Sequence, residues 1–235
     1  HGRGHRFLPS DINFRANTYG FKMLGVERII SVNSCGSLKE EIRPRDIVFS
    51  DQFFDRTRRV SSFFGGAVAA HISFAHPVCP ELSEGLYAAG KKLGLRVHKG
   101  GTYICIEGPA FSTKAESAIY RLWGCDVIGM TSATEAKLCR EAEICYATMN
   151  LVTDYDVWHA EEEPVSVELI LGNLRLNIEN AKTIIKEAVA SLPASRGDGC
   201  GCSRALENCL VTQAELIPPE VKKRLHHIIA KYIKE

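Results

Sequence analysis

Short apolar runs alternate with amphipathic stretches along nearly the whole sequence, and that alternation limits the fold more than any other feature. Val26 to Val32 (VERIISV), Ile47 to Asp51, Val97 to Ile106, Asp126 to Met130 and Ile144 to Thr153 read as strands, several of them apolar on both faces. Strands of that kind belong in the middle of a parallel sheet, where helices cover each side. Between them, helical periodicity predicts helices over Asn13 to Leu24, Pro80 to Leu93, Thr113 to Trp123, Glu135 to Glu141 and Val167 to Leu192. Asp11 or Asn13 would cap the first and Gly25 would end it. Leu169, Leu176, Ile184 and Ile185 form the apolar stripe of the last. Pro219 to Ile233 reads as a closing basic amphipathic helix, Pro193 to Cys202 as a Gly/Cys-rich linker, and Arg56 to Ala75 as a long irregular excursion of the kind that often carries function. The class is therefore α/β, a single domain with a mixed, largely parallel central sheet flanked by helices.

Composition narrows the function. A chain of 235 residues with a net charge of +1 has no broad field to attract nucleic acid or an anionic membrane, so an anionic substrate must be met by a local site. No apolar run reaches the roughly 18 residues of a membrane helix, and no secretory signal is visible, so a cytoplasmic location is expected. The nine cysteines are an odd number scattered over apolar segments, which suggests buried, reduced thiols. Cys200-Gly201-Cys202 stands apart. It could be redox-active, metal-binding or incidental, but no second Cys/His pair has zinc-finger spacing, so no metal is expected.

In parallel sheets, ligands sit beyond the C-terminal ends of the strands. Three predicted strand ends carry polar residues: Asn33-Ser34, Met130-Thr131 and Thr153-Asp154. Each pair taken alone serves equally well as a cap or turn.

Taken together, longer blocks are more specific. Gly101 to Ser112 (GTYICIEGPAFS) resembles the "GT…EGP.FS" block of methylthioadenosine phosphorylases, a branch of the purine nucleoside phosphorylases. The match runs on through Ala115-Glu116-Ser117, Gly129-Met130-Thr131, Glu135, Ile144 to Ala147, and Thr153 to Trp158. His1 to His5, Cys35 to Leu38 and Asp51 to Phe53 fit as well. The resemblance implies the nucleoside phosphorylase fold and phosphorolysis, in which phosphate attacks C1′ of the sugar as the purine leaves. Phosphate is then a co-substrate, with no metal and no organic cofactor.

By the same resemblance, Asp154 meets N7 of the base as general acid and Asp156 accepts from the 6-amino group. Such an acid needs a raised pKa. Ser112 and Asp154 stand where 6-oxopurine enzymes carry Glu and Asn, which favours an aminopurine. Phe111 corresponds to the stacking aromatic. Met130 and Thr153 fall on the sugar and base side. Val167 and Ile170, one turn apart, would wall a methylthio group. His71 would reach a neighbouring subunit's site in a homotrimer or dimer of trimers. His1, Asn33, Ser34 and Thr131 match phosphate positions.

The resemblance starts downstream of the family's N-terminal strand and Gly-rich phosphate loop. The expectation is one domain over 1–235 without those elements, and an open sheet edge beside the site. Two alternatives stay open: a phosphorylase for 6-oxopurine nucleosides, adenosine or methylthioinosine, and a purine-binding chain without turnover.

Overall fold

The computed structural model describes residues 1–159, 167–197 and 199–233. Its core is a seven-stranded mixed sheet in the order β3-β5-β6-β1-β7-β2-β4. The strands are β1 (Arg28–Ser37), β2 (Ile47–Phe49), β3 (Gln52–Asp55), β4 (Val97–Lys99), β5 (Thr102–Cys105), β6 (Val127–Gly129) and β7 (Cys145–Asp154). The helices are α1 (Phe14–Met23), α2 (Pro80–Lys92), α3 (Lys114–Leu122), α4 (Ser132–Glu141), α5 (Val167–Ser191), α6 (Pro219–Arg224) and α7 (His226–Ile229). None is long and apolar enough to cross a membrane.

β7 is the axis of the molecule, with all ten of its residues buried. It pairs in parallel with β1 along nearly its whole length and antiparallel with β2. β1 meets β6 only through Gly36 and Ser37. Over Arg28 to Ser34, no strand among the described residues pairs with that edge, and Val32 there is 43% exposed.

The sheet separates two apolar layers. On one face, α4 (Ala136, Leu138) packs with Phe14 of α1 and with Val221, Ile228 and Ile229 of the C-terminal helices. On the other, Leu82 and Leu86 of α2 and Ala181 and Ile184 of α5 pack against Cys145, Ala147, Met149 and Leu151 of β7. Each fully buried aliphatic side chain contributes about 1.5–3 kcal/mol. Helix starts follow sequence logic. Asn13 caps α1 by accepting the Ala16 N–H, and Thr113 and Glu116 close a reciprocal capping box at α3.

The structure departs from the sequence reading in several places. Val97 to Ile106, read as one extended run, splits into β4 and β5 in different parts of the sheet, and β3 forms over Gln52–Asp55, where no strand was predicted. Asn33 to Ser37, read as a turn, continues β1, because Asn33 to Cys35 keep register with Asn150 to Val152. The C-terminal helix breaks at Leu225 into α6 and α7. Residues 193–197 and 199–202 are no loose linker. Arg28 donates to the Pro193 and Ser195 carbonyls, and Cys200 and Cys202 are buried against the β7–α2–α5 layer.

Candidate active site

Two carboxylates meet at the tip of β7. Asp154, the last residue of the strand, is buried. Its Oδ2 accepts from the Thr153 hydroxyl at 2.6 Å and its Oδ1 from the Asp156 N–H at 2.8 Å. Asp156 does not sit two residues along the same strand, as simple alternation suggests. Its backbone is left-handed (φ 53°), a conformation aspartate tolerates, and the resulting turn folds it back beside Asp154. Burial pushes the Asp154 carboxyl up, against the pull of the Thr153 hydroxyl and the Asp156 N–H, while the neighbouring Asp156 charge adds to the rise. Burial raises Asp156 too, opposed by the nearby Ser117 and Ser112 hydroxyls and the Val157 N–H. Yet Asp156 Oδ2, Ser112 Oγ and Ser117 Oγ are all buried with no partner in hydrogen-bond geometry. Buried polar atoms without partners are costly, so three in one place mark a surface shaped for something polar.

Gly36 makes the close approach possible. It faces Asp154 across the sheet, and a Cβ there would stand 2.8 Å from Asp154 Oδ1. Asn173 and Asn177 of α5 hold the tip from the other side by donating to the Thr153 and Val152 carbonyls at 2.7 and 3.0 Å.

A loop over 107–112 runs from the end of β5 to α3 and borders the carboxylates. Gly108 lies against Met130, where a Cβ would meet the sulfur at 2.5 Å. Arg59, from the irregular excursion, sews the pieces together. Its side chain is 4% exposed, pairs with Glu107 at 3.2 Å, and donates to the carbonyls of Glu107 and Met130. Phe111 presents its ring at the surface, 46% exposed.

The polar residues of the β1 and β6 ends form the third part. The Thr131 hydroxyl donates to Asn33 Oδ1 at 3.0 Å, and Asn33 Nδ2 donates to Ser31 Oγ and Thr148 Oγ1 at 3.1 and 2.9 Å. Thr148 donates in turn to Asn150, which bonds Ser50. A buried polar ladder thus fixes Asn33 from behind. Ser31 also donates to Glu135, whose carboxyl burial pushes up. Thr131 is the N-cap residue of α4 but makes no side-chain cap bond; its hydroxyl turns to Asn33 instead. Ser34 is exposed on the adjoining strand.

The predicted residues therefore fall into groups. Asp154, Asp156, Ser112 and Thr153 converge. Asn33 and Thr131 touch, with Met130 beside them. Ile170 is half-buried one turn before Asn173; Val167 opens α5, but its side chain lies outside the described residues. His1 is exposed, donates from Nδ1 to the Phe7 carbonyl (2.7 Å) and stacks on His5. His71 is exposed, with its N–H on the Cys209 carbonyl. Sequence reasoning missed Gly36, Arg59, Ser117 as a polar wall, and Asn173. Only Gly36 and Ser117 left a trace, inside blocks already singled out for other residues.

A curled mixed sheet with purine-scale polar atoms at one strand tip and a helix N-terminus beside it defines a nucleoside-phosphorylase-type α/β protein, and residues 3–190 match the family model described as "Phosphorylase superfamily". Within that superfamily the chain belongs to the S-methyl-5'-thioadenosine phosphorylase family. It is 53% identical to the S-methyl-5'-thioadenosine phosphorylase of Koribacter versatilis, over 100% of this chain and 80% of the relative. A crystal structure of a methylthioadenosine phosphorylase from an antarctic soil metagenomic library superposes with a TM-score of 0.91 at 46% identity, covering 97% of this chain and 80% of that one. The Schistosoma mansoni methylthioadenosine phosphorylase in complex with adenine gives 0.86 at 32% identity, over 90% and 82%.

Proposed function

We propose that this chain cleaves S-methyl-5'-thioadenosine with phosphate, giving adenine and 5-methylthioribose-1-phosphate. The observation that carries the reading is the pair of buried aspartates beside unpartnered hydroxyls at the tip of β7. Asp154, its pKa raised by burial, is suited to hold a proton for N7 as the C1′–N9 bond breaks. The free Asp156 Oδ2 is an acceptor for the 6-amino group, and the Ser112 and Ser117 hydroxyls, donor and acceptor alike, line the same wall. A phosphate oxygen attacks C1′ from the side of Asn33, Ser34 and the N-terminus of α4, where helix amides offset its charge. Thr131 currently donates to Asn33, so its hydroxyl must turn before it can donate to phosphate. Met130, which lies against Gly108, would face the sugar. Phe111 at the rim would stack on the nucleoside, Ile170 and Val167 would face the methylthio group, and the reaction needs no organic cofactor.

The proposal extends to the cell and the assembly. Both products suit purine and methionine salvage in the cytoplasm. An exposed His71 suits a homotrimer or dimer of trimers in which it approaches a neighbour's site; His1 would join the phosphate group. The test is adenine release from methylthioadenosine with and without phosphate, next to inosine as substrate. Phosphate-dependent release with inosine turned over far more slowly is the expected result. Equal turnover of inosine, or release that ignores phosphate, overturns it.

A further inference from the structure

Four thiols converge at the end of β7 away from the aspartates. Cys145 opens the strand, Cys79 is the N-cap residue of α2, and Cys200 and Cys202 lie on the segment that returns from α5. Their Sγ atoms all lie within 4.8 Å of one another, and those of Cys145 and Cys200 are 3.4 Å apart. All four are buried and unbridged. A zinc ion at about 2.3 Å from each of four sulfurs holds them about 3.8 Å apart, so the observed cluster needs only small side-chain shifts to become a tetrahedral set. A disulfide needs about 2.05 Å and a pairwise arrangement.

The surroundings fit a charged centre. A tetrathiolate around a divalent ion carries two negative charges, and Arg196 and Arg140 lie within electrostatic reach of Cys145 and Cys202. A cavity of about 320 Å³, bordered by His76, Glu81 and Arg140 next to Cys79, Cys200 and Cys202, gives an ion a way in.

We propose that Cys79, Cys145, Cys200 and Cys202 bind one borderline-soft divalent metal ion, zinc foremost, as a closed site that locks the C-terminal segment to the base of β7. On binding, each thiol releases its proton to solvent and no oxidation or reduction occurs. Four protein ligands leave no open position, so the ion is structural. It sits one strand length, about 30 Å, from Asp154 and takes no part in nucleoside chemistry.

The decisive experiment is a cobalt titration of the reduced, chelator-stripped protein. The expected result is the intense visible bands of tetrahedral cobalt thiolate, saturating at one ion per chain and lost when zinc is added. Protein purified under reducing conditions should hold zinc in the same ratio. Cys202→Ser should abolish the cobalt bands, whereas Cys209→Ser, whose sulfur instead bonds the Ala205 carbonyl, should keep them. If Cys202→Ser does not accumulate, the titration of the unaltered chain decides alone. Reduced wild-type protein that develops no cobalt bands and retains no zinc overturns the proposal. So does recovery of the four sulfurs as two disulfides from cells lysed into a thiol-trapping reagent.

Discussion

Gly36 shows how tightly single residues are fitted at the β7 tip. A methyl group there would stand 2.8 Å from Asp154 Oδ1 and 3.0 Å from Ile128 Cγ2, both closer than real contacts allow without movement. Gly36→Ala should lower the melting temperature and cut kcat/KM for methylthioadenosine by about 10²-fold, because small displacements of a catalytic group are that costly. An unchanged kcat/KM would show that Asp154 is not positioned by this contact. The two aspartates make a pH prediction. Burial raises both above the ordinary aspartate value, so the folded state holds their protons more strongly than the unfolded chain. Their contribution to stability is greatest below the unfolded pKa of about 3.9 and falls as pH rises through their raised values. Asp154→Asn should therefore melt higher than wild type at neutral pH, with the gap closing under acid, while its turnover of methylthioadenosine drops about 10²–10³-fold. A variant that melts lower at neutral pH would count against a desolvated carboxyl. The aspartates were legible in the sequence only through the blocks around them, since Asp-x-Asp alone marks many solvated turns. The left-handed turn that pairs them was not legible, because alternation along a strand predicts separate positions.

At the scale of elements, periodicity placed α1, α2, α3 and β7 to within a residue or two, but it ended β1 five residues early, ran β4 and β5 together and missed β3, and the ties between elements were not readable at all. Arg59 lies in a stretch with no periodicity, yet it clamps the loop after β5 to the end of β6 through Glu107 and Met130. Only the folded chain reveals a partner 71 residues away. Arg59→Lys keeps one charge but loses the fork, so it should destabilise by about 1–3 kcal/mol and raise KM for nucleoside more than it lowers kcat. Denaturant melts and steady-state kinetics on the same preparation check both halves. α5 offers a second case. Its apolar stripe was readable, whereas Asn173, which ties the helix to the Thr153 carbonyl, looks like any exposed helix polar residue in sequence. Asn173→Ala strands that carbonyl, at a cost of about 1–3 kcal/mol, and should loosen the tip enough to lower kcat without changing the secondary structure seen by circular dichroism.

For the whole molecule, the decisive feature is that β7 runs buried from end to end and belongs to both apolar layers. The α/β class and the two covered faces were legible because a run as largely apolar as Ile144 to Val152 has few other places to go. The meeting of Cys79 and Cys145 with Cys200 and Cys202 was not, because its members lie far apart along the chain and share no spacing rule. Amides of Ala147 to Val152 should exchange with deuterium only through global unfolding, as slowly as any in the protein; faster exchange there than in α2 would show that the sheet opens locally. A search for altered base preference should leave this shaft untouched. Randomising the chain between 145 and 152 will return mostly clones that never accumulate, whereas a library confined to positions 112, 117, 154 and 156 samples new purines while the protein stays assembled. Evolution has had the same choice, and drift in specificity among descendants of this gene should be written in those four codons.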